Sequence, residues 1–427
     1  MHQSVSTGLS PRQLTIAIFS AVVPFAAYTC IFAFRKAFNV APYEGYTILG
    51  IDYKIVLVIT QVAGYMASKF YGIRFISEMK RVGRGRLILL LVAISWLAWL
   101  LFALIPPPYN AWSLFFNGFP LGMLWGVVFS FVEGRKTTDL ISAALAVSFI
   151  FASGLAKSTA QWVMQSLSVS QYWMPFTVGA IFILPLILFI YLLEKIPPPD
   201  KEDEALRMHR LPMPAQERKQ LIARFLPGLV TLIIIYILVT ILREVRDSFM
   251  ADMWRASGEE YNAATFTATE TTISLVILVM IASMIFLQNN YRAFVLTQII
   301  MLLGFIISLA ATIGYLQQLL SLYSWMVLVG LGLFMVYIPF NSILFDRFIA
   351  TFRFSGNVGF LIYLADSFGY LGSVGVLLTR SIFRVQTNWL QFYTQLVLIS
   401  GCIGIVATTI SIWYFIRKYR QASAHQL

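Results

Sequence analysis

Twelve apolar runs follow one another along the chain, at about 12–34, 50–75, 84–105, 110–133, 137–166, 171–194, 224–250, 262–288, 291–315, 318–345, 355–381 and 387–416. Each is long enough to cross a hydrocarbon core of ~30 Å. Backbone exposed to lipid has no water to bond with, so an open chain crosses only as helix. The pattern predicts an all-α membrane protein with twelve transmembrane helices. The first run lacks the short apolar core and small-residue cleavage site of a signal peptide, and is expected to be a retained helix. One polar interval is longer than the others. It opens on Pro197-Pro198-Pro199, passes through DKEDE at 200–204 and ends in a basic stretch, RMHRLPMPAQERKQ. The expected organisation is a six-helix bundle over 1–194, a cytoplasmic linker over 195–223 and a second six-helix bundle over 224–427.

Composition agrees with the pattern: hydrophobic residues make up 59% and charged residues 12% of the 427 positions. The two cysteines, Cys30 and Cys402, fall inside runs, and the three histidines, His2, His209 and His425, fall outside them. No metal site, disulfide framework or cofactor is expected from such material. A formal charge of +12 raises the question of nucleic acid. The distribution of the charge answers it. With the N-terminus inside and loops alternating, twenty-one basic residues fall on the inner side and six on the outer. This is the positive-inside bias of a multi-pass protein with both termini cytoplasmic, in a bacterium the inner membrane. A monomer in the bilayer, with no nucleic-acid partner, is expected.

A guanidinium within a bilayer costs at least about 2.5 kcal/mol on the lenient insertion scales and is a functional candidate by default. Arg35 and Arg243 both lie about two-thirds of the way into a run, 208 residues apart, at matched positions of the two halves. A second match has nearly the same offset: Leu155-Ala156-Lys157-Ser158 against Leu364-Ala365-Asp366-Ser367. Internal repetition with a site at the repeat interface is how many secondary transporters are built. Gln61, Tyr65 and Lys69 form a stripe at i, i+4 spacing on the second run, and Tyr28 stands two turns before Arg35. These residues, with Arg35, Arg243 and Lys157, form the expected anion-binding set, since a guanidinium presents two parallel donors to an oxyanion. Lys36, about 100° around the helix from Arg35, is expected to snorkel to the outer surface. Plainer readings stand beside these. Arg243 and Asp247 are spaced as a local helical ion pair, and Lys157 and Asp366 as a salt bridge across a pseudo-twofold axis. Glu270 is either a proton site or the partner of a basic residue. Glu133 and Arg135 close the fourth run and Asp346 and Arg347 the tenth, where an inner gate explains them, or simple positive-inside charge their basic members.

Tyr28, Phe34-Arg35-Lys36-Ala37-Phe38, Gly64-Tyr65, Ser68-Lys69-Phe70 and Leu242-Arg243 resemble the first, second and seventh helices of the organophosphate:phosphate antiporters, in the major facilitator superfamily. The resemblance implies that superfamily's fold, two arginines gripping a phosphate, and Lys69, Tyr28 and Tyr65 assisting. It also implies exchange of a phosphate ester for inorganic phosphate, or in some relatives sensing without transport. The loop GIRFISEMKRVGRGR departs from the superfamily pattern G-x-x-x-D-R-x-G-R, and no histidine stands in the fifth run, where Lys157 takes its place. Leu242-Arg243-Glu244-Val245-Arg246-Asp247 also resembles an arginine-rich helix of nucleotide exchangers. The expected function is secondary active transport of a small, phosphorylated organic anion, by exchange or proton coupling, with inorganic phosphate or a proton as counter-substrate. A membrane sensor of the same anion and a nucleotide exchanger are the alternatives. No nucleophile–base constellation suggests an enzyme.

Overall fold

The computed structural model describes residues 11–77, 83–132, 138–197, 215–285, 287–352, 358–383 and 387–424. Twelve long helices appear where the apolar runs predict them. In the first half they are α1 (Pro11–Lys36), α2 (Tyr53–Ser77), α3 (Arg84–Leu104), α4 (Ser113–Phe129), α5 (Thr138–Ser166) and α6 (Met174–Glu194). In the second they are α7 (Ala215–Ser257), α8 (Ala263–Ile285), α9 (Asn290–Leu316), α10 (Leu322–Ser342), α12 (Val358–Ile382) and α13 (Trp389–Ala424). A short helix, α11 (Leu344–Phe352), stands between α10 and α12 and has no counterpart among the runs. It buries Leu344, Phe345, Phe348 and Phe352 along one face, so it is amphipathic and too short to register as an apolar run. Among the described residues, nine of the long helices are by length and hydropathy alone able to cross a membrane. The other three, α2, α5 and α12, carry Lys69, Lys157 and Asp366 in their interiors.

The linker expectation needs one correction. Residues 198–214 lie outside the described set, but from Ala215 the chain is already helical and runs into α7 through a kink at Phe225. Pro227 removes a backbone donor just beyond that break, a sufficient cause for the kink.

The two halves pack by the same rule. In the first, α1 lies against α5 and α6, α4 against α2 and α3, and α3 against α6. In the second, α7 lies against α12 and α13, α10 against α8 and α9, and α9 against α13. Matching α1 to α7, α2 to α8, α3 to α9, α4 to α10, α5 to α12 and α6 to α13 carries one set onto the other. This is the all-α, two-bundle, pseudo-symmetric architecture expected. The bundles meet along α5 with α8 and α10 and along α2 with α12, and a 3₁₀ turn, Ala37–Val40, lies against α7.

Lipid tails are as apolar as leucine, so helices within each bundle associate by close packing rather than by a hydrophobic drive. On α2 and α4 this uses small residues at four-residue spacing, Gly64 with Ser68 and Gly118 with Gly122. A Cβ at Gly118 would collide with the backbone oxygen of Gln61, and one at Gly64 with that of Phe115. Gly118→Val is therefore expected to destabilise the protein by about 1–3 kcal/mol. A thermal melt of the purified variant checks this, and an unchanged melt would contradict the close contact.

Candidate functional site

The site is organised by the last turn of α1. A helix end leaves carbonyls without intrahelical partners, and inside a membrane other protein groups must take them up. The Phe34 carbonyl accepts from Trp99 Nε1 on α3 at 2.5 Å and from Asn117 Nδ2 on α4 at 3.1 Å. The Arg35 carbonyl accepts from Gln61 Nε2 on α2 at 2.9 Å, and the same amide donates to Asn117 Oδ1 at 2.7 Å. Gln61 is therefore engaged in fixing the backbone of Arg35, and its amide is spent there rather than on a solute.

With its backbone held, the Arg35 side chain turns inward and is 4% exposed. Its guanidinium carbon sits 3.8 Å above the Tyr65 ring and 5.9 Å from that of Phe32. Its Nε and Nη2 have no acceptor on any described residue. Arg243, on α7, stacks 4.5 Å from Tyr337 and donates to Glu244 Oε1 at 2.5 Å and to the Tyr370 hydroxyl at 3.4 Å, while its Nε has no acceptor. Tyr65 and Tyr370 pack ring to ring at 5.7 Å. Two tyrosines thus connect the two guanidinium heads across the bundle interface, the first from α2 and the second from α12. Tyr28 packs edge-on against Phe149 at 5.1 Å, on the same side of α1 as Phe32.

The remaining charges form ion pairs, and several differ from those expected. Lys36 does not snorkel outward: it is 1% exposed, and its ammonium lies 2.6 Å from Asp247 and 3.4 Å from Glu244. Asp247 does not pair with Arg243. It binds Lys36 through one oxygen and, through the other, Lys157 at 2.6 Å and the Ser153 hydroxyl. Lys157 does not reach Asp366. The carboxylate of Asp366 instead takes Lys69 on one oxygen and the Tyr236 hydroxyl on the other. The fold gives the reason. Lys157 on α5 and Asp366 on α12 are equivalent by the repeat, but α5 packs on α8 and α12 on α2. The two residues stand on opposite flanks of the axis and cannot meet.

Glu270 pairs with Arg246 at 2.6 Å, and its other carboxylate oxygen has no partner among the described residues. Nearer the α1–α2 loop, Lys54 pairs with Asp252 at 2.5 Å, and Arg255 binds Asp252 at 2.7 Å and the Val40 carbonyl at 2.9 Å. Arg347 donates to Asn290 at 2.6 Å, a contact within the second half. Asp346 stands beside it on α11, and Glu133 and Arg135 lie outside the described residues.

Reading the residues in sequence missed Lys36, Glu244, Arg246, Asp247, Tyr236, Tyr337 and Tyr370. A signal was present for three of them. Lys36 touches Glu244, and Asn39 donates to the Asp247 carbonyl, each contact spanning 208 residues, the offset of the arginine pair. Groups that meet their own repeat-equivalents must lie near the pseudo-twofold axis, as in any two-fold contact. The tyrosines carried no such signal, because an aromatic residue in an apolar run looks like any core residue.

Within this interior, among the described residues, five cationic heads (Lys36, Lys69, Lys157, Arg243, Arg246) pair with four carboxylates (Glu244, Asp247, Glu270, Asp366), and Arg35 stands beside them as a sixth cation. The Lys69–Asp366 pair joins the bundles on one flank. Removing one partner of a buried pair leaves an uncompensated charge and costs about 3–5 kcal/mol, whereas removing both is far milder. Lys69→Met is therefore expected to lower stability by about 3 kcal/mol and Lys69→Met/Asp366→Asn to recover most of it. A double variant as damaged as the sum of the two singles in denaturant melts would show no coupling.

The fold is similar to that of the human organic anion transporter MFSD10, at 14% identity, TM-score 0.52 and coverage of 94% of this chain and 100% of that one. It is likewise similar to a D-xylose–proton symporter, at 14% identity, TM-score 0.56 and coverage of 93% and 97%. Both likenesses establish the major facilitator architecture. No curated protein matches the sequence. A family model, the family of unknown function DUF5690, matches residues 37–418, nearly the whole chain, and the protein belongs to that family.

Proposed function

We propose that this protein is a secondary transporter that moves a small organic anion, in particular a phosphorylated one, across the inner membrane by alternating access, with both termini cytoplasmic. The observation that carries the reading is the buried Arg35 head with two donors free of any acceptor on the described residues. A buried guanidinium with donors left unpaired is costly. An incoming oxyanion relieves that cost, and an interior with two more cations than carboxylates suits a dianion. Arg35 belongs to the first half and Arg243 to the second, so one anion held by both heads links the bundles. Binding then favours the closed, occluded arrangement over either open one, which lowers the barrier to rocking.

Inorganic phosphate or a proton serves as counter-substrate, and Glu270, with its spare oxygen, is the candidate for the proton. Counterflow tests the proposal. Proteoliposomes preloaded with phenyl phosphate are expected to accumulate labelled phosphate several-fold above protein-free vesicles. Saturable binding of the ester with no counterflow would replace the transporter reading with a sensor.

A further inference from the structure

From the lining of the cavity between the bundles we infer that the bound anion carries an apolar, preferably aromatic, body instead of a polyhydroxylated one. This rests on the anion-transport reading above. The cavity is walled by Phe32 on α1, Phe149 on α5, and Leu333 and Phe334 on α10, so both bundles contribute apolar surface. On the first-half side, Phe32 and Phe149 lie 6.3 Å apart and Tyr28 packs on Phe149, which makes a continuous aromatic panel. That panel adjoins the anion heads: Phe32 is the ring 5.9 Å from the Arg35 guanidinium carbon, and Arg243 borders the cavity itself. An anionic group on the arginines therefore directs whatever is attached to it along the phenylalanines.

The polar lining is nearly all committed. Among the described residues Ser153 is the sole uncharged polar side chain around the cavity, and its hydroxyl donates to Asp247 while accepting from Lys157 at 2.8 Å. Asp247 holds two ammonium groups, and Arg246 and Glu270 hold each other. One oxygen of Glu270 is left to accept a hydrogen bond. A body with a single hydroxyl is thus accommodated. A sugar or glycerol body brings several, and each hydroxyl buried without a partner lowers affinity by about tenfold. An aryl or branched aliphatic body has nothing to leave unpaired and gains contact with the rings.

The test compares phenyl phosphate, glycerol 3-phosphate and inorganic phosphate at about pH 8.5, where all three are dianions, on the full-length protein in nanodiscs, with benzyl alcohol as the uncharged control, by isothermal titration. Phenyl phosphate is expected to bind at least about tenfold tighter than glycerol 3-phosphate. Phe334→Asn is expected to shrink that ratio while leaving the affinity for inorganic phosphate within about twofold; if this variant fails to fold, Phe149→Ser takes its place. Glycerol 3-phosphate binding as tightly as phenyl phosphate, with both lost in Arg35→Lys, overturns the apolar body and leaves the anion site standing. No binding by any of the three anions, or tight binding of benzyl alcohol, overturns both.

Discussion

Replacing Arg35 by lysine is expected to abolish uptake while leaving the fold intact. The charge survives, so the electrostatic balance of the interior does not change. What is lost is the planar fork, and with it the two donors, Nε and Nη2, that have no acceptor on the described residues. A compact ammonium offers neither the paired geometry nor the stacking on Tyr65 at 3.8 Å. Each charge-assisted hydrogen bond contributes about 1.5–3 kcal/mol, so losing one lowers affinity by roughly 10- to 150-fold and losing both by more. Because Gln61, Asn117 and Trp99 hold the backbone and not the guanidinium, the melting temperature should stay within a few degrees of the parent. Uptake by proteoliposomes and a melt of the same preparation check both halves. Uptake at the parental rate would remove Arg35 from the site.

The second large effect is expected at Asp247. This carboxylate is the hub of the interface near the axis, holding Lys36 from α1 and Lys157 from α5. Asp247→Asn preserves volume and leaves two ammonium groups, both about 1% exposed, to share what remains. Glu244, 3.4 Å from Lys36, offsets part of the loss for one of them. Lys157 keeps only Ser153 at hydrogen-bond distance. Breaking one buried pair typically costs about 3–5 kcal/mol, enough to leave a marginally stable protein largely unfolded. Lys157→Met in the same background removes the worst uncompensated charge and should restore much of the melting temperature. A single Asp247→Asn variant as stable as the parent would show that the hub contributes little.

The two-bundle fold was legible in the chain because a bilayer imposes one rule on every segment. Any run long enough to cross must be helix, so the runs at 84–105 and 171–194 became α3 and α6 within a few residues. The short helix α11 and the early start of α7 escaped, since neither is a continuous apolar run. The candidate site was only half legible. Arg35, Arg243, Tyr65 and Lys69 converge, because the repeat offset and helical periodicity together specify which residues face the axis. The pairing of charges did not follow. Helical spacing suggested Arg243 with Asp247, and repeat equivalence suggested Lys157 with Asp366. Both fail because partners are chosen by which helices touch across the interface, and spacing along one chain does not contain that. Lys36 is the clearest instance: placed at the outer surface by its position in α1, it is drawn inward by Asp247 of the other half.

The location of a bound anion tests the account most directly. A structure of the complex with p-bromophenyl phosphate, with the bromine marking the body and the phosphate the head, would show both ends. The phosphate is expected within hydrogen-bond reach of Arg35 Nε or Nη2 and of Arg243, beside Tyr65 and Tyr370. A phosphate bound elsewhere, with the Arg35 head still lacking an acceptor, would contradict it.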